Sequence, residues 1–450
     1  MGSFLSTEKP YSQTRKRNRR DDEDNLRSQR VKCRRSDTGT PLSCPVSPSV
    51  SEEPFKLHSA KVGRFSLAAP RQRTDTGIPF VLPISPSLYE GPFPFAWHPV
   101  EVGHFSLDAQ RCYCGDDHQL CYYAPPSSSI PFPRFDLLDG YHDRYVPWNE
   151  GLREGLGKVL KWIAQNNKQL QDKEKRQPLN VDYVTLRGHL TKVLTTPYET
   201  RQGWQLAVSL FCGTLYLSEI VPEAVRRQRK QCSERAKQQT YMGYKFEKYM
   251  CADTQNGTPD PSAVVNTHEA FCTVIQVQMG SHSLLFSAEV DCTDPQSPWP
   301  DPPGCYMELK TTRAMQSCAH RRNFYKYKMI KWWAQSFLSG VPRIVVGYRD
   351  DMDSVVELKT IKTASIPKTA KKLIGEEQNC WKAKVCMNFF VSFLDFVKKV
   401  VTTDDPKLVH LFEWEPEGPV SYTVHRDSEY TFLPEWYVKA IKRGQSVTSV

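Results

Sequence analysis

No apolar run in the sequence approaches the length of a membrane span, and the first residues are polar where a secretory signal needs an apolar stretch. A soluble, intracellular protein with no membrane partner is therefore expected. Paired cysteines are missing as well. The 14 cysteines are scattered, most of them in apolar stretches, which suits reduced thiols in a large cytosolic or nuclear protein and not a disulfide framework. One local cluster, "CYCGDDHQLC", offers Cys112, Cys114, His118 and Cys121 to a zinc ion. Its C-x-C spacing is poor for zinc, and ordinary thiols in a loop are the better reading. A global electrostatic field is absent too. The chain nets +10, yet residues 1–40 hold 11 Lys/Arg against 6 Asp/Glu, about half the excess. Any nucleic-acid contact by the folded part must then come from a local groove.

What is present is mostly globular. With 450 residues, 24% charged and 39% hydrophobic, the chain can bury an ample core as one large domain or two. Residues 1–92 are Ser- and Pro-rich without apolar periodicity and read as a disordered extension, 93–443 as the globular domain, and 444–450 as a flexible tail. Two basic clusters, "RKRNRR" (15–20) and "RVKCRR" (30–35), flank an acidic spacer. They resemble a bipartite nuclear localisation signal, which implies a nuclear import receptor as partner and a nuclear, and also cytoplasmic, location. The same region is duplicated. "PFKLHSAKVGRFSLAAPR" (54–71) matches "PFAWHPVEVGHFSLDAQR" (94–111) with 10 identities in 18, and "PVSPSVSEEPF" (45–55) echoes "PISPSLYEGPF" (83–93). One extra copy is too few for a solenoid. The downstream copy alternates in a way that suits a half-buried strand opening the domain.

From there on, helical and strand periodicities mix. Leu152, Leu156, Val159, Leu160 and Ile163 recur at helical spacing. "LAVSLFCGTLYLSEIV" (206–221) predicts two strands around Cys212-Gly213, and "CTVIQVQMGSHSLLFSAEVD" (272–291) a hairpin turning at Gly280-Ser281. "CYMELKTT" (305–312) predicts a further strand. "NFYKYKMIKWWAQSFLSG" (323–340) predicts a helix capped by Gly340, and "RIVVGYRD" the strand after it. "VCMNFFVSFLDFVKKVV" (385–401) predicts a long apolar helix. The fold class is mixed α/β (α+β) with mixed sheets.

Two tripeptides carry the chemistry. On a strand, residues two apart share a face, so Glu289 pairs with Asp291 and Glu308 with Lys310. If the two strands are neighbours, three carboxylates and one amine converge, a concentration of charge that calls for a cation. An acid on one strand, Glu-x-Lys on the next and Gln335 on the following helix form the pattern of PD-(D/E)XK nucleases. In that reading Asp291 and Glu308 hold Mg²⁺ or Mn²⁺, hard cations that prefer oxygen. Glu289 adds a donor suited to a two-metal site, and Lys310 and Gln335 position the attacking water and the phosphate.

"LRGHLTKVLTTPYE", "YMGYKFEKYM", "SAEVDCTD", "CYMELKTT" and "IKWWAQSFLSGVP", in this order, resemble the decapping and exoribonuclease (DXO) family from about residue 94 to about 440. The resemblance implies a fold of two mixed β-sheets flanked by helices. It implies Glu247, Glu289, Asp291, Glu308 and the Leu309 carbonyl as metal ligands, with Lys310 and Gln335 at the scissile phosphate and Arg187 on an RNA phosphate near the 5′ end. The implied substrate is a single-stranded RNA 5′ end bearing an incomplete guanosine cap, a nicotinamide (NAD-type) cap, a triphosphate or a monophosphate. Caps leave as intact units before 5′–3′ degradation of the body. Two readings compete: an adaptor that binds and stabilises a larger 5′–3′ exoribonuclease, and a DNA nuclease of the same superfamily. An adaptor need not keep the acids that this chain keeps. Of the aromatics near the motifs, Trp332 and Trp333 read as core, while Tyr244 and Phe246 stay open.

Overall fold

The computed structural model describes residues 80–447 except 95–97, 127–133, 150, 153, 173, 175–176 and 376–379. The basic clusters, the upstream copy of the repeat and residues 448–450 lie outside the described residues. Two large mixed sheets flanked by helices make up the fold, as expected, with a separate two-stranded parallel pairing of Tyr145–Val146 with Val265–Asn266. In the first sheet, β1 (Val100–Leu107) lies to one side and β2 (Tyr183–Leu186) in the middle. Both expected hairpins form: β3 (Trp204–Phe211) with β4 (Thr214–Glu219), and β5 (Ala270–Met279) with β6 (His282–Val290). Cys212 and Gly213, at φ +50° and +79°, supply the left-handed pair that a two-residue turn needs. Asp404 accepts from both of their N–H groups at 2.8 Å.

The chain then crosses to a seven-stranded sheet, where β7 (Tyr306–Arg313) runs parallel to β8 (Arg343–Arg349), and β9 (Ser354–Lys362) pairs antiparallel to β8. It returns for β10 (Leu408–Trp414) and β11 (Ser421–Arg426). Across the first sheet the order is β11-β10-β3-β4-β2-β6-β5-β1, then the short strand Tyr113–Cys114. Strands β4, β2 and β6 are adjacent and parallel, so their C-terminal ends open on one edge.

The helices fill the layers that the strands leave. Helix α1 (Gly157–Leu170) covers the outer face of the first sheet, through Val159, Leu160 and Ile163. Gly103 on β1 admits it: a Cβ there would stand 2.3 Å from the Trp162 ring. Helix α2 (Arg187–Thr195) continues β2 directly, and α3 (Glu223–Lys230) follows β4. Helix α4 (Glu234–Met250) lays Met242, Phe246 and Met250 on Met307, Leu309 and Val345 of the second sheet. Helices α5 (Met329–Leu338) and α6 (Ala383–Val400) share with α2 a core that takes in residues of both sheets.

Three boundaries differ from expectation. Leu152 is exposed and precedes the first turn of α1. Residues 80–92, assigned by composition to the extension, pack on the domain. Leu82 bridges Val420, Tyr89 is buried edge-on to Phe389, and Asn388 donates to the Tyr89 carbonyl. Few and unperiodic apolar residues suffice here because α6 and the segment at Val420 supply the other side of these contacts. The C-terminal helix, Glu435–Val447, runs past residue 443.

Candidate active site

Met307 and Leu309 of β7 face α4, so Glu308 and Lys310 face the opposite way, toward α5. There Gln335 Nε2 donates to Glu308 Oε1 at 2.7 Å, and Lys310 Nζ bonds the same oxygen. Asp291 accepts from the Leu309 N–H at 2.6 Å and lies 3.9 Å from Lys310 Nζ. The N–H and C=O of one strand residue point to the same side, so the Leu309 carbonyl shares that edge with Asp291. Arg187, at the junction of β2 and α2, donates to the Glu289 carbonyl at 2.9 Å and stands 3.6 Å from Glu308 Oε2. The Glu308 side chain is 2% exposed. A buried carboxylate costs several kcal/mol unless charge answers it.

The groups around Glu308 feel the same lack of solvent. Burial, then repulsion from Glu308, pushes Asp291 up to about 7. Burial, then Asp291, raises Glu247 well above the carboxylate range. Burial works against the charge of Lys310, but Glu308 and Asp291 outweigh it and raise Lys310.

Glu289 turns elsewhere, into a cavity of about 740 Å³. Arg111 Nη2 bonds Glu289 at 2.5 Å and Glu154 at 2.6 Å, and Nη1 reaches the His268 carbonyl. Arg111 is held at φ +62° in a turn whose N–H groups at Gln110 and Cys112 are capped by Asp108. Arg187 and Cys272 also line this cavity. Sequence reasoning missed Arg111, Glu154 and Cys272. The one available signal was Arg111 itself, the arginine that closes both copies of the repeat.

The structure thus gathers Asp291, Glu308, Leu309, Lys310, Gln335 and Arg187, with Glu247 beside them on α4 and Glu289 at the cavity. The route differs from a pair of neighbouring strands. β6 and β7 belong to different sheets, and Asp291 sits where the chain leaves one for the other. Glu308 and Lys310 also lie within β7 and not at its end. As arranged, with Arg111 on Glu289 and Lys310 on Glu308, no three acidic, thiol or imidazole groups among the described residues converge to hold a metal. The donor set nevertheless fits a hard divalent cation. Several carboxylates share one buried locus, and two are driven toward protonation by burial and by the charge of neighbouring carboxylates. Of the "CYCGDDHQLC" cluster, Cys114 lies in a short strand of the first sheet, Cys121 adjoins a strand of the second, and His118 pairs with Asp116. Trp332, Trp333 and Phe246 are buried in the core. Tyr244, raised by burial and by Glu289, lies beside the acids.

The sequence matches the family model described as RAI1 like PD-(D/E)XK nuclease over residues 97–438. It is 52% identical to the decapping and exoribonuclease protein of Rattus norvegicus over 349 residues, 78% of this chain and 86% of the rat protein. The fold is similar to that of Candida albicans Rai1 in complex with pU5-Mn²⁺, with TM-score 0.70 and 22% identity, covering 81% of this chain and 99% of that one. Scheffersomyces stipitis Rai1, in complex with (3′-NADP)⁺ and calcium ion, is similar at TM-score 0.69 and 22% identity, covering 81% and 97%. The matched span takes in every residue of the site just described, and the chain belongs to the RAI1-like PD-(D/E)XK nuclease family.

Proposed function

We propose that this nuclease removes incomplete guanosine caps, NAD-type caps and triphosphates from the 5′ ends of single-stranded RNA as intact units, then degrades the body 5′ to 3′. The observation that carries this is one buried acidic locus, Asp291–Glu308–Lys310–Gln335, touched by Arg187 from the cavity side. A single hydrolytic centre serves all these substrates because each presents a phosphate linkage to the same groups. The names of the curated relatives and the ligands of the Rai1 structures support the substrate class.

Glu247, Glu289, Asp291, Glu308 and the Leu309 carbonyl would hold Mg²⁺ or Mn²⁺. Five donor residues support two ions, since each hard cation also keeps waters and substrate oxygens. When bound, such ions polarise the phosphodiester and lower the pKa of water. Arg187 binds a phosphate through its planar fork of N–H groups. Lys310 and Gln335 stand on one carboxylate oxygen, so both donors are fixed before substrate arrives. Lys310 offers its charge to the oxygens of the pentacoordinate transition state, and Gln335 orients the attacking water. The basic clusters at 15–20 and 30–35 support delivery to the nucleus.

Cleavage of capped RNA, 5′-monophosphate RNA and single-stranded DNA in Mg²⁺ tests the reading. RNA 5′ ends should be processed and DNA spared. Equal cleavage of DNA, or no cleavage at all, would replace it with one of the competing readings.

A further inference from the structure

We propose that helix α3 and the lysines facing it bind the backbone phosphates of the RNA body, downstream of the scissile linkage. The proposal rests on the nuclease reading above and adds the path by which the strand leaves the site. Outside residues 1–40 the chain has only five more Lys/Arg than Asp/Glu, and the eight residues of α3 account for three of that excess, with four Lys/Arg against one Glu. No residue of α3 is buried. A helix with no buried residue and four basic side chains needs a reason to be basic. Arg226 and Arg229 lie three apart, hence on one face, and both line the 740 Å³ cavity together with Lys158 and Lys192. Lys158 and Arg229 make no ion pair among the described residues, whereas Glu219 and Glu223 hold Lys192 and Arg226. The Arg226 Nε is buried without a hydrogen-bond partner. It is a donor awaiting an acceptor, and unpaired buried donors are costly.

Topology fixes the direction. Strands β6, β2 and β4 are parallel neighbours, and at their shared edge they deliver, in that order, Glu289, Arg187 and α3. Helix α3 therefore stands about two strand spacings, ~10 Å, from Glu289 across Arg187. The 5′ group must sit among the buried acids, where Glu308 is closed to solvent. The polymer leaves through the cavity that Glu289 enters, and Arg226 and Arg229 of α3 line that cavity. Successive phosphates then meet Arg226 and Arg229 without any reading of base sequence.

The test uses the full chain carrying Arg226→Gln/Arg229→Gln and two 5′-phosphorylated oligouridylates, of 20 and of 2 nucleotides. Affinity is read by anisotropy in Ca²⁺, where turnover is not required, across a salt series. The 20-mer should lose on the order of tenfold in affinity near physiological salt. Its slope of log K against log salt should flatten by about 1.4, at ~0.7 per single-strand phosphate contact. The 2-mer should be unaffected, since it carries no phosphate beyond the scissile one. Arg227→Gln/Lys230→Gln, on residues of the same helix that do not line the cavity, should leave both slopes unchanged. An equal loss on both lengths, no loss on the 20-mer, or the same loss from the control pair would overturn the proposal. A wild-type chain that binds the 20-mer with this salt slope but cleaves nothing in Mg²⁺ would instead overturn the nuclease reading and support the helix assignment.

Discussion

Glu308 and Glu289 belong to one acidic set but live in opposite surroundings. Glu308 is 2% exposed and answered from inside by Lys310 and Gln335. Glu289 is 48% exposed and answered by Arg111, which Glu154 shares. Water can relieve a charge at the cavity rim, but at the floor only the protein or a bound cation can. The difference teaches that spacing finds the candidate acids, while burial ranks them. A floor acid should be indispensable and a rim acid adjustable.

The sharpest way to break this ranking is to remove the floor. Asp291→Ala or Glu308→Ala should lower cap removal and exonucleolysis together, on the order of 10²-fold or more, because both use one centre. One activity persisting near the wild-type rate would divide the site in two. Lys310→Ala should come next, with turnover reduced on the order of 10²-fold and RNA affinity in Ca²⁺ little changed, since its work is in the transition state. Weak binding with normal turnover at saturation would move Lys310 to the substrate.

Metal titration followed by melting compares floor and rim without reference to activity. At 100 times its dissociation constant, Mn²⁺ should stabilise the wild type by about 2.7 kcal/mol. Glu308→Ala should abolish that shift and Glu289→Ala only reduce it. The opposite order would invert the ranking. Arg111→Ala should cost about 1–2 kcal/mol of stability, as its partners are partly solvated, measured by urea unfolding. Smallest of all, a chain beginning at residue 76 should melt and cleave like the full-length protein, because it keeps the contacts of Leu82 and Tyr89. A marked loss would mean that the segment before 76 supports the domain.

Both hairpins and the two charged tripeptides were legible because they are local: period-two alternation and a two-residue turn settle them. The meeting of Asp291 with Glu308 was legible only as a condition, since no pattern in the chain says that β6 and β7 belong to different sheets. Arg111 and Glu154 were hidden for a similar reason. A single arginine 43 residues from its partner has no period, and its role exists only once the turn at Asp108–Cys112 swings it over the cavity. The packed segment 80–92 was misjudged because composition measures what a segment can bury by itself, and this one buries itself against α6.

The crossing of the chain between sheets at Asp291 has a consequence for biosynthesis. Glu247 rides on a helix of the second sheet, Glu289 on the first, and Asp291 on the join. A nascent or damaged chain with only one sheet assembled cannot bring these carboxylates and Lys310 together. A nuclease built this way has its acidic set complete only when both sheets are in place around their shared core.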